Sequence, residues 1–168
     1  LQAGLSTMVK KSDDSHNEWI QKAREANGKK VLTAPYSTYV YSKSARYPQW
    51  FISLYRSFTN QYGRGVGVIE TAKQCKSIFK SIISYEKKNH GNAASVYVFN
   101  ESGDLIYPYD ITADDTNDIS KYYKLTDSDQ DTLTVQSPVT DQKEYVSRLN
   151  SAYTGYTYLT IQPESVIL

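Results

Sequence analysis

Residues 93–110 read AASVYVFNESGDLIYPYD. Ser95 to Phe99 and Leu105 to Tyr107 are short runs of β-branched and aromatic residues, the side chains that fit a pleated, half-buried strand. Asn100-Glu101-Ser102-Gly103-Asp104 lies between them. Asn100 suits the first position of a turn, and Gly103 suits a position with φ > 0, where a Cβ would clash with the backbone. Two such runs around such a turn predict a β-hairpin with a loop of about three to five residues. Pro108 ends the second strand because it has no N–H to give to a ladder.

Working outward, the chain has 168 residues, enough for one domain or two small ones. Its formal net charge of +1 gives no electrostatic reason to expect nucleic acid or an anionic membrane surface as the main partner. The apolar runs are only a few residues long, far short of the roughly 20 that a membrane span needs. Residues 1–11 lack a basic start followed by an apolar stretch, so they do not read as a signal peptide. With Leu1 at one end and Ser165-Val166-Ile167-Leu168 at the other, the chain reads as a segment of something longer. Tyrosine is over-represented, 16 residues against 4 Phe and 2 Trp, which suits half-buried antiparallel sheets and pocket walls where a ring packs and a hydroxyl stays wet. The single Cys rules out an internal disulfide.

On the N-terminal side, Ser15-His16-Asn17-Glu18 has the form of a capping box. Trp19, Ile20 and Ala23 then share a helical face, and Asn27-Gly28 stops the helix with a left-handed cap. Lys30 to Thr33 is expected to be a strand closed by Pro35-Tyr36, and Ser37 to Gln49 a polar, Tyr-rich loop. In the strand Trp50 to Thr59, alternation puts Trp50, Ile52, Leu54, Arg56 and Phe58 on one side and Phe51, Ser53, Tyr55 and Ser57 on the other. Asn60 to Gly65 turns the chain into a strand over Val66 to Glu70. Thr71-Ala72-Lys73-Gln74 reads as a second capping box, followed by Cys75, Ile78, Phe79, Ile82 and Ile83 at helical spacing on one apolar face. The polar stretch Glu86 to Asn92 is the expected domain boundary. Beyond the hairpin, Thr112 to Lys124 is expected to be a helix with Ile119, Tyr122 and Tyr123 inward, and Thr126 to Asp131 an acidic loop. Leu133 to Gln136, Glu144 to Leu149 and Tyr156 to Gln162 are expected strands. This order predicts an α+β fold of antiparallel sheets flanked by helices.

No residue pattern announces catalysis. Gly63-Arg64-Gly65-Val66-Gly67 leads into a strand, the wrong order for a phosphate cradle, and reads as a hairpin turn. Asp127-Ser128-Asp129-Gln130-Asp131 imitates the start of a calcium loop. Thr132 stands where such a loop needs Gly, and Pro138 where it needs a bidentate Glu, so a solvated loop without metal is expected. His16 and His90 are far from any Cys or carboxylate pattern of a zinc site. Cys75 falls on an apolar helix face and is expected to be buried and inert. No GxSxG occurs. Asn100-Glu101-Ser102 fits a glycosylation pattern by letter, but its turn role accounts for it. Neither a cofactor nor a metal is expected.

Four pieces, in order, carry a resemblance. They are Trp19-Ile20-Gln21-Lys22-Ala23 running to Asn27-Gly28; Thr33-Ala34-Pro35-Tyr36; Gly65-Val66-Gly67-Val68-Ile69-Glu70; and Val96 through Tyr107, followed by Tyr153-Thr154-Gly155-Tyr156 and Pro163-Glu164-Ser165. Trp19 to Glu70 followed by Ser95 to Ser165 resembles the double-Cache sensor region of bacterial membrane receptors, above all the extracellular part of sensor histidine kinases of Gram-positive bacteria. The resemblance implies two PAS-like (Cache) modules, a membrane-distal one over residues 1–90 that is incomplete at its N-terminus and a membrane-proximal one over 91–168. A transmembrane helix would follow Leu168. It also implies a ligand-sensing, non-enzymatic segment on the extracellular side of the bacterial membrane. The parent would be a membrane-anchored, homodimeric histidine kinase, and the segment itself is compatible with a monomer.

The expected ligand is a small molecule, bound in the distal module by Trp19, Tyr36, Tyr55, Arg56 and Glu70. Arg56 can join Tyr55 in one pocket only across a bulge or from the rim, because alternation opposes them. In the amino-acid-binding subset of the family an Arg clamps the ligand carboxylate two places before the Trp; here that place is Asn17, and an acid of that subset is replaced by Thr38. Losing the bidentate clamp points away from free amino acids. The next place to look is the proximal module beside Tyr97, Tyr107 and Tyr145. Two other readings are a chemotaxis-receptor ectodomain of the same fold and a secreted carbohydrate-binding module. The latter needs a planar row of exposed aromatics.

Overall fold

A computed structural model describes residues 17–39, 46–89 and 94–166. Two antiparallel sheets and their helices make an α+β fold. In chain order, α1 is Asn17–Glu25, β1 Val31–Leu32, β2 Tyr36–Thr38, β3 Gln49–Thr59, β4 Gly65–Gln74, α2 Cys75–Ile78 and α3 Lys80–Lys88. Then follow β5 Ser95–Phe99, β6 Leu105–Tyr107, α4 Ala113–Ser120, a 3₁₀ helix Lys121–Asp127, β7 Thr132–Gln136, β8 Lys143–Asn150, β9 Thr157–Pro163 and a last 3₁₀ turn Glu164–Val166. In the first sheet β3 pairs with β1, β2 and β4; the second has the order β6-β5-β9-β8-β7. The chain forms two compact units, one of Leu1–Thr33 with Ser53–Ala72 and one of Ala34–Ile52 with Lys73–Leu168.

In the larger unit the opening hairpin forms over the expected residues. The Asn100 side chain organises its turn by accepting from the N–H groups of Ser102 (3.0 Å) and Asp104 (2.8 Å). Gly103 sits at φ +87°, and a Cβ there would come within 3.0 Å of the Tyr123 ring. Two reasons thus favour glycine, backbone conformation and the close approach of an aromatic ring. Thr112 caps α4 by accepting from the Asp115 N–H at 3.1 Å, while its hydroxyl donates to the Asp115 carboxylate at 2.7 Å.

The last strand does not simply extend the meander. β9 inserts between β5 and β8, with Tyr97 opposite Leu159 and Val146 opposite Ile161. Phe99, Tyr122, Val146, Leu159 and Ile161 form the buried cluster on one side of this sheet. Ile119 and Tyr123 pack against it, as their helical phase predicts.

Three expectations are corrected here. Thr71 to Gln74 is not a capping box; it is the end of β4, and Gln74 precedes α2 with no side-chain cap. The expected single helix breaks at Phe79 and then runs on to Lys88, well into the stretch expected to be a polar link. Ile78 is 37 % exposed rather than sharing the burial of Cys75 and Phe79. Ser15, His16, His90 and Gly91 lie outside the described residues.

Cys75 itself is fully buried, and burial pushes its thiol up to about 12. Because the thiolate is the reactive form, native protein at neutral pH should resist thiol reagents. An Ellman assay is expected to show labelling only on the timescale of unfolding. Complete labelling within seconds in native buffer would contradict the packing of α2.

Candidate functional site

The residues nominated for ligand binding are positioned by α1, β2, β3 and β4. In the smaller unit, α1 presents Trp19 to Tyr55, a buried residue of β3. The rings lie nearly parallel, 18° apart in plane, with centroids separated by 6.3 Å. Lys22, one turn further along α1, places its ammonium 4.3 Å from the centre of the Trp19 ring, a favourable contact with the ring's negative face. Lys22 also pairs with Glu18 at 2.5 Å across one helical turn.

Glu70 lies on β4, and its carboxylate accepts a hydrogen bond of 2.8 Å from the hydroxyl of Ser53. Ser53 is fully buried in the middle of β3, and its backbone N–H donates to the Thr33 hydroxyl at 3.0 Å. A carboxylate on an exposed residue of β4 thereby accepts from the hydroxyl of a fully buried residue of β3. Sequence reasoning missed Ser53, although its phase with Phe51 and Tyr55 marked it as a polar residue on an inward-facing side of the strand.

Arg56 does not join Tyr55. It is exposed on the opposite side of β3, as alternation requires, and its Nε donates to the carbonyl of Gly28 at 2.6 Å. On the neighbouring residue, the Ser57 hydroxyl accepts from the Gly28 N–H at 3.0 Å. Arg56 therefore holds the turn after α1, the helix that carries Trp19. In the larger unit, Tyr36 stands opposite Phe51 in the β2–β3 ladder, with ring centroids 6.4 Å apart.

Tyr97, Tyr107 and Tyr145 do not line one pocket. Tyr97 packs on Tyr122 at 5.2 Å, while Tyr107 packs on Phe79 at 5.1 Å and donates its hydroxyl to Glu86. Tyr145 is 37 % exposed. Beside Tyr97 is a polar cluster that the sequence reading passed over. Glu144 is buried and accepts from the Tyr122 hydroxyl at 2.7 Å, and that hydroxyl lies 2.9 Å from the Ser137 hydroxyl. The phase of β8 was the signal, since Glu144 faces the same way as Val146. Burial, more than the bond to Glu144, raises the Tyr122 hydroxyl above its ordinary range. On the other side of the sheet an open, mostly apolar groove of about 330 Å³ runs past Ile82, Tyr85, Val96, Leu149 and Tyr158.

Chemically, the smaller unit offers an aromatic pair and an anchored carboxylate, a flat apolar surface and a hydrogen-bond acceptor. Among the described residues no three His, Cys, Asp or Glu side chains are grouped to hold a metal ion. No helix among them is long and apolar enough to cross a membrane.

No family model matches the chain, and no curated protein does. Solved structures do. The extracellular domain of the protein described as histidine kinase rpHK1S-Z16 is 16 % identical with a TM-score of 0.62, and the match covers 95 % of this chain and 64 % of that one. The ligand-binding domain of the Pseudomonas aeruginosa PAO1 amino acid chemoreceptor PctB, in complex with L-Gln, is 13 % identical with a TM-score of 0.61, covering 95 % and 61 %. That of PctC from the same organism, in complex with GABA, is 12 % identical with a TM-score of 0.55, covering 93 % and 64 %. The chain thus spans less than two thirds of the length of these structures, and it shares its fold with these extracellular and ligand-binding domains.

Proposed function

We propose that this chain is the extracellular sensing region of a bacterial transmembrane histidine kinase and binds a small molecule. One observation carries the reading: the fold likeness runs over nearly the whole chain, and the matched structures are extracellular or ligand-binding domains. The proposed organisation is a distal module over residues 1–90 and a proximal module over 91–168, in a membrane-anchored, dimeric parent. The segment performs no chemistry. A ligand held better by one arrangement of the region than by another shifts the equilibrium by that difference in affinity and no more.

The proposed ligand residues are Trp19, Tyr55 and Glu70 of the smaller unit, with Arg56 supporting the turn that follows α1; Tyr36 belongs to the larger unit. Asn17 in place of a carboxylate-clamping Arg favours a ligand other than a free amino acid. A chemoreceptor parent is the second reading, supported by the likeness to PctB and PctC.

A thermal-shift screen of amines, polyols, sugars, short peptides and amino acids tests the proposal. A true ligand stabilises the protein by an amount that grows with the logarithm of its excess over Kd. Trp19→Ala and Glu70→Gln should each abolish the shift while leaving the circular dichroism spectrum unchanged. Hits confined to amino acids would remove the argument from Asn17. Binding unchanged in both variants would place the site elsewhere.

A further inference from the structure

Asn27-Gly28 is the only Asn-Gly pair in the chain. It closes α1 with two successive left-handed residues, Asn27 at φ +46° and Gly28 at φ +82°. Asn27 is exposed, and its own N–H donates to the carbonyl of Arg24 at 3.1 Å. Gly28 leaves the space beside its backbone open, since a Cβ there would meet nothing closer than the Ser57 carbonyl oxygen at 4.0 Å. An exposed asparagine followed by an unhindered glycine is the pair in which a backbone nitrogen most readily reaches the preceding side-chain amide.

β3 opposes that reaction. The Gly28 N–H donates to the Ser57 hydroxyl at 3.0 Å, and the Gly28 carbonyl accepts from Arg56 Nε at 2.6 Å. The peptide group containing the attacking nitrogen and the one after it are both tied to adjacent residues of one strand. For attack, the Gly28 nitrogen must lose its proton and turn toward Asn27 Cγ, so the hydrogen bond to Ser57 has to break first.

We infer that Asn27-Gly28 is a spontaneous deamidation site held in check by the clamp from Ser57 and Arg56. In the step, the deprotonated Gly28 nitrogen forms a bond to Asn27 Cγ. The Cγ–Nδ2 bond breaks and ammonia leaves with the proton, closing a five-membered succinimide. Water then opens either carbonyl of the ring, giving aspartate or an isoaspartate whose main chain runs through Cβ. Both products add a negative charge, and the isoaspartate lengthens the backbone by one carbon at the turn. That displaces Gly28 from its two partners on β3 and loosens α1 where it carries Trp19 to Tyr55.

Incubation of the folded protein at neutral pH and 37 °C, followed by peptide mapping for a gain of about 1 Da and for isoaspartate, tests this. Ser57→Ala should convert roughly fivefold faster than the wild type, the factor expected for the loss of one hydrogen bond. Ser57→Thr, which keeps the hydroxyl, should convert at the wild-type rate. Protein held unfolded in urea should convert faster than both. Circular dichroism and the Trp fluorescence spectrum establish that the variants are folded during incubation. Equal rates in wild type and Ser57→Ala, or a native rate as fast as the unfolded one, would overturn the inference.

Discussion

Replacing Phe99 by alanine is expected to destabilise the larger unit by about 3–5 kcal/mol, the range for removing a buried aromatic ring. Phe99 is fully buried, and its ring packs 5.6 Å from that of Tyr123. It lies on β5 opposite Thr157 of β9, so it sits where the central strands meet the 3₁₀ helix. The cost combines lost transfer of the ring from water with a cavity that the surrounding sheet closes only in part. Whole domains are commonly stable by about 5–15 kcal/mol, so the variant should lose a large share of its margin. Urea unfolding followed by circular dichroism measures this, with a fall in the midpoint and no change in slope. A cost below about 1 kcal/mol would mean that the ring is not in a closed core.

Alkaline pH should unfold the protein through the same unit. Tyr97, Tyr107, Tyr109, Tyr122, Tyr156 and Tyr158 are all held above the ordinary tyrosine range, chiefly by burial, with Tyr156 pushed up to about 12. Above about pH 10 these groups ionise in the unfolded chain while remaining protonated in the folded one. The unfolded state then binds fewer protons, so stability falls as pH rises. The contribution is fully present below about pH 10 and is lost as pH climbs through the folded values, the window for Tyr156 closing near 12. A completely buried tyrosine contributes a slope of up to about 1.4 kcal/mol per pH unit, and the partly exposed ones less because water screens the charge. Urea midpoints from about pH 9 to 11.5 should fall steeply, and tyrosinate absorbance should rise together with unfolding. A midpoint independent of pH across that range, with tyrosines titrating one by one in the folded state, would contradict the burial assigned to these rings.

The hairpin was legible because it is local. Ser95 to Phe99, the Asn100 turn, Gly103 and Pro108 are neighbours in sequence, and their geometry depends on little else. Alternation also placed Arg56 and Tyr55 on opposite sides of β3, and helical spacing put Trp19 and Ala23 on one helix with Asn27-Gly28 just past its end. Thr71 to Gln74 misled because four mostly polar residues satisfy a capping box and an exposed strand end equally well. Pairing of β4 with β3 decided in favour of the strand, and pairing is not written in a local pattern. The same limit hid the insertion of β9 between β5 and β8. At the candidate site, Trp19, Tyr36 and Glu70 were nominated through the family resemblance, whereas the Ser53 hydroxyl that anchors Glu70 lies 17 positions away along the chain. Glu144 was legible in phase and passed over because a lone glutamate on a strand is ordinarily exposed.

Isothermal titration of a compound that passes the thermal screen, against wild type, Trp19→Ala, Glu70→Gln and Tyr122→Phe, tests the proposed ligand site most directly. The proposed site in the smaller unit predicts a loss of at least about tenfold in affinity, close to 1.4 kcal/mol, for each of the first two variants. It predicts wild-type affinity for Tyr122→Phe, whose hydroxyl belongs to the cluster with Glu144 and Ser137. Full affinity in Trp19→Ala and Glu70→Gln, with the loss falling on Tyr122→Phe, would contradict it and move the ligand to the five-stranded sheet.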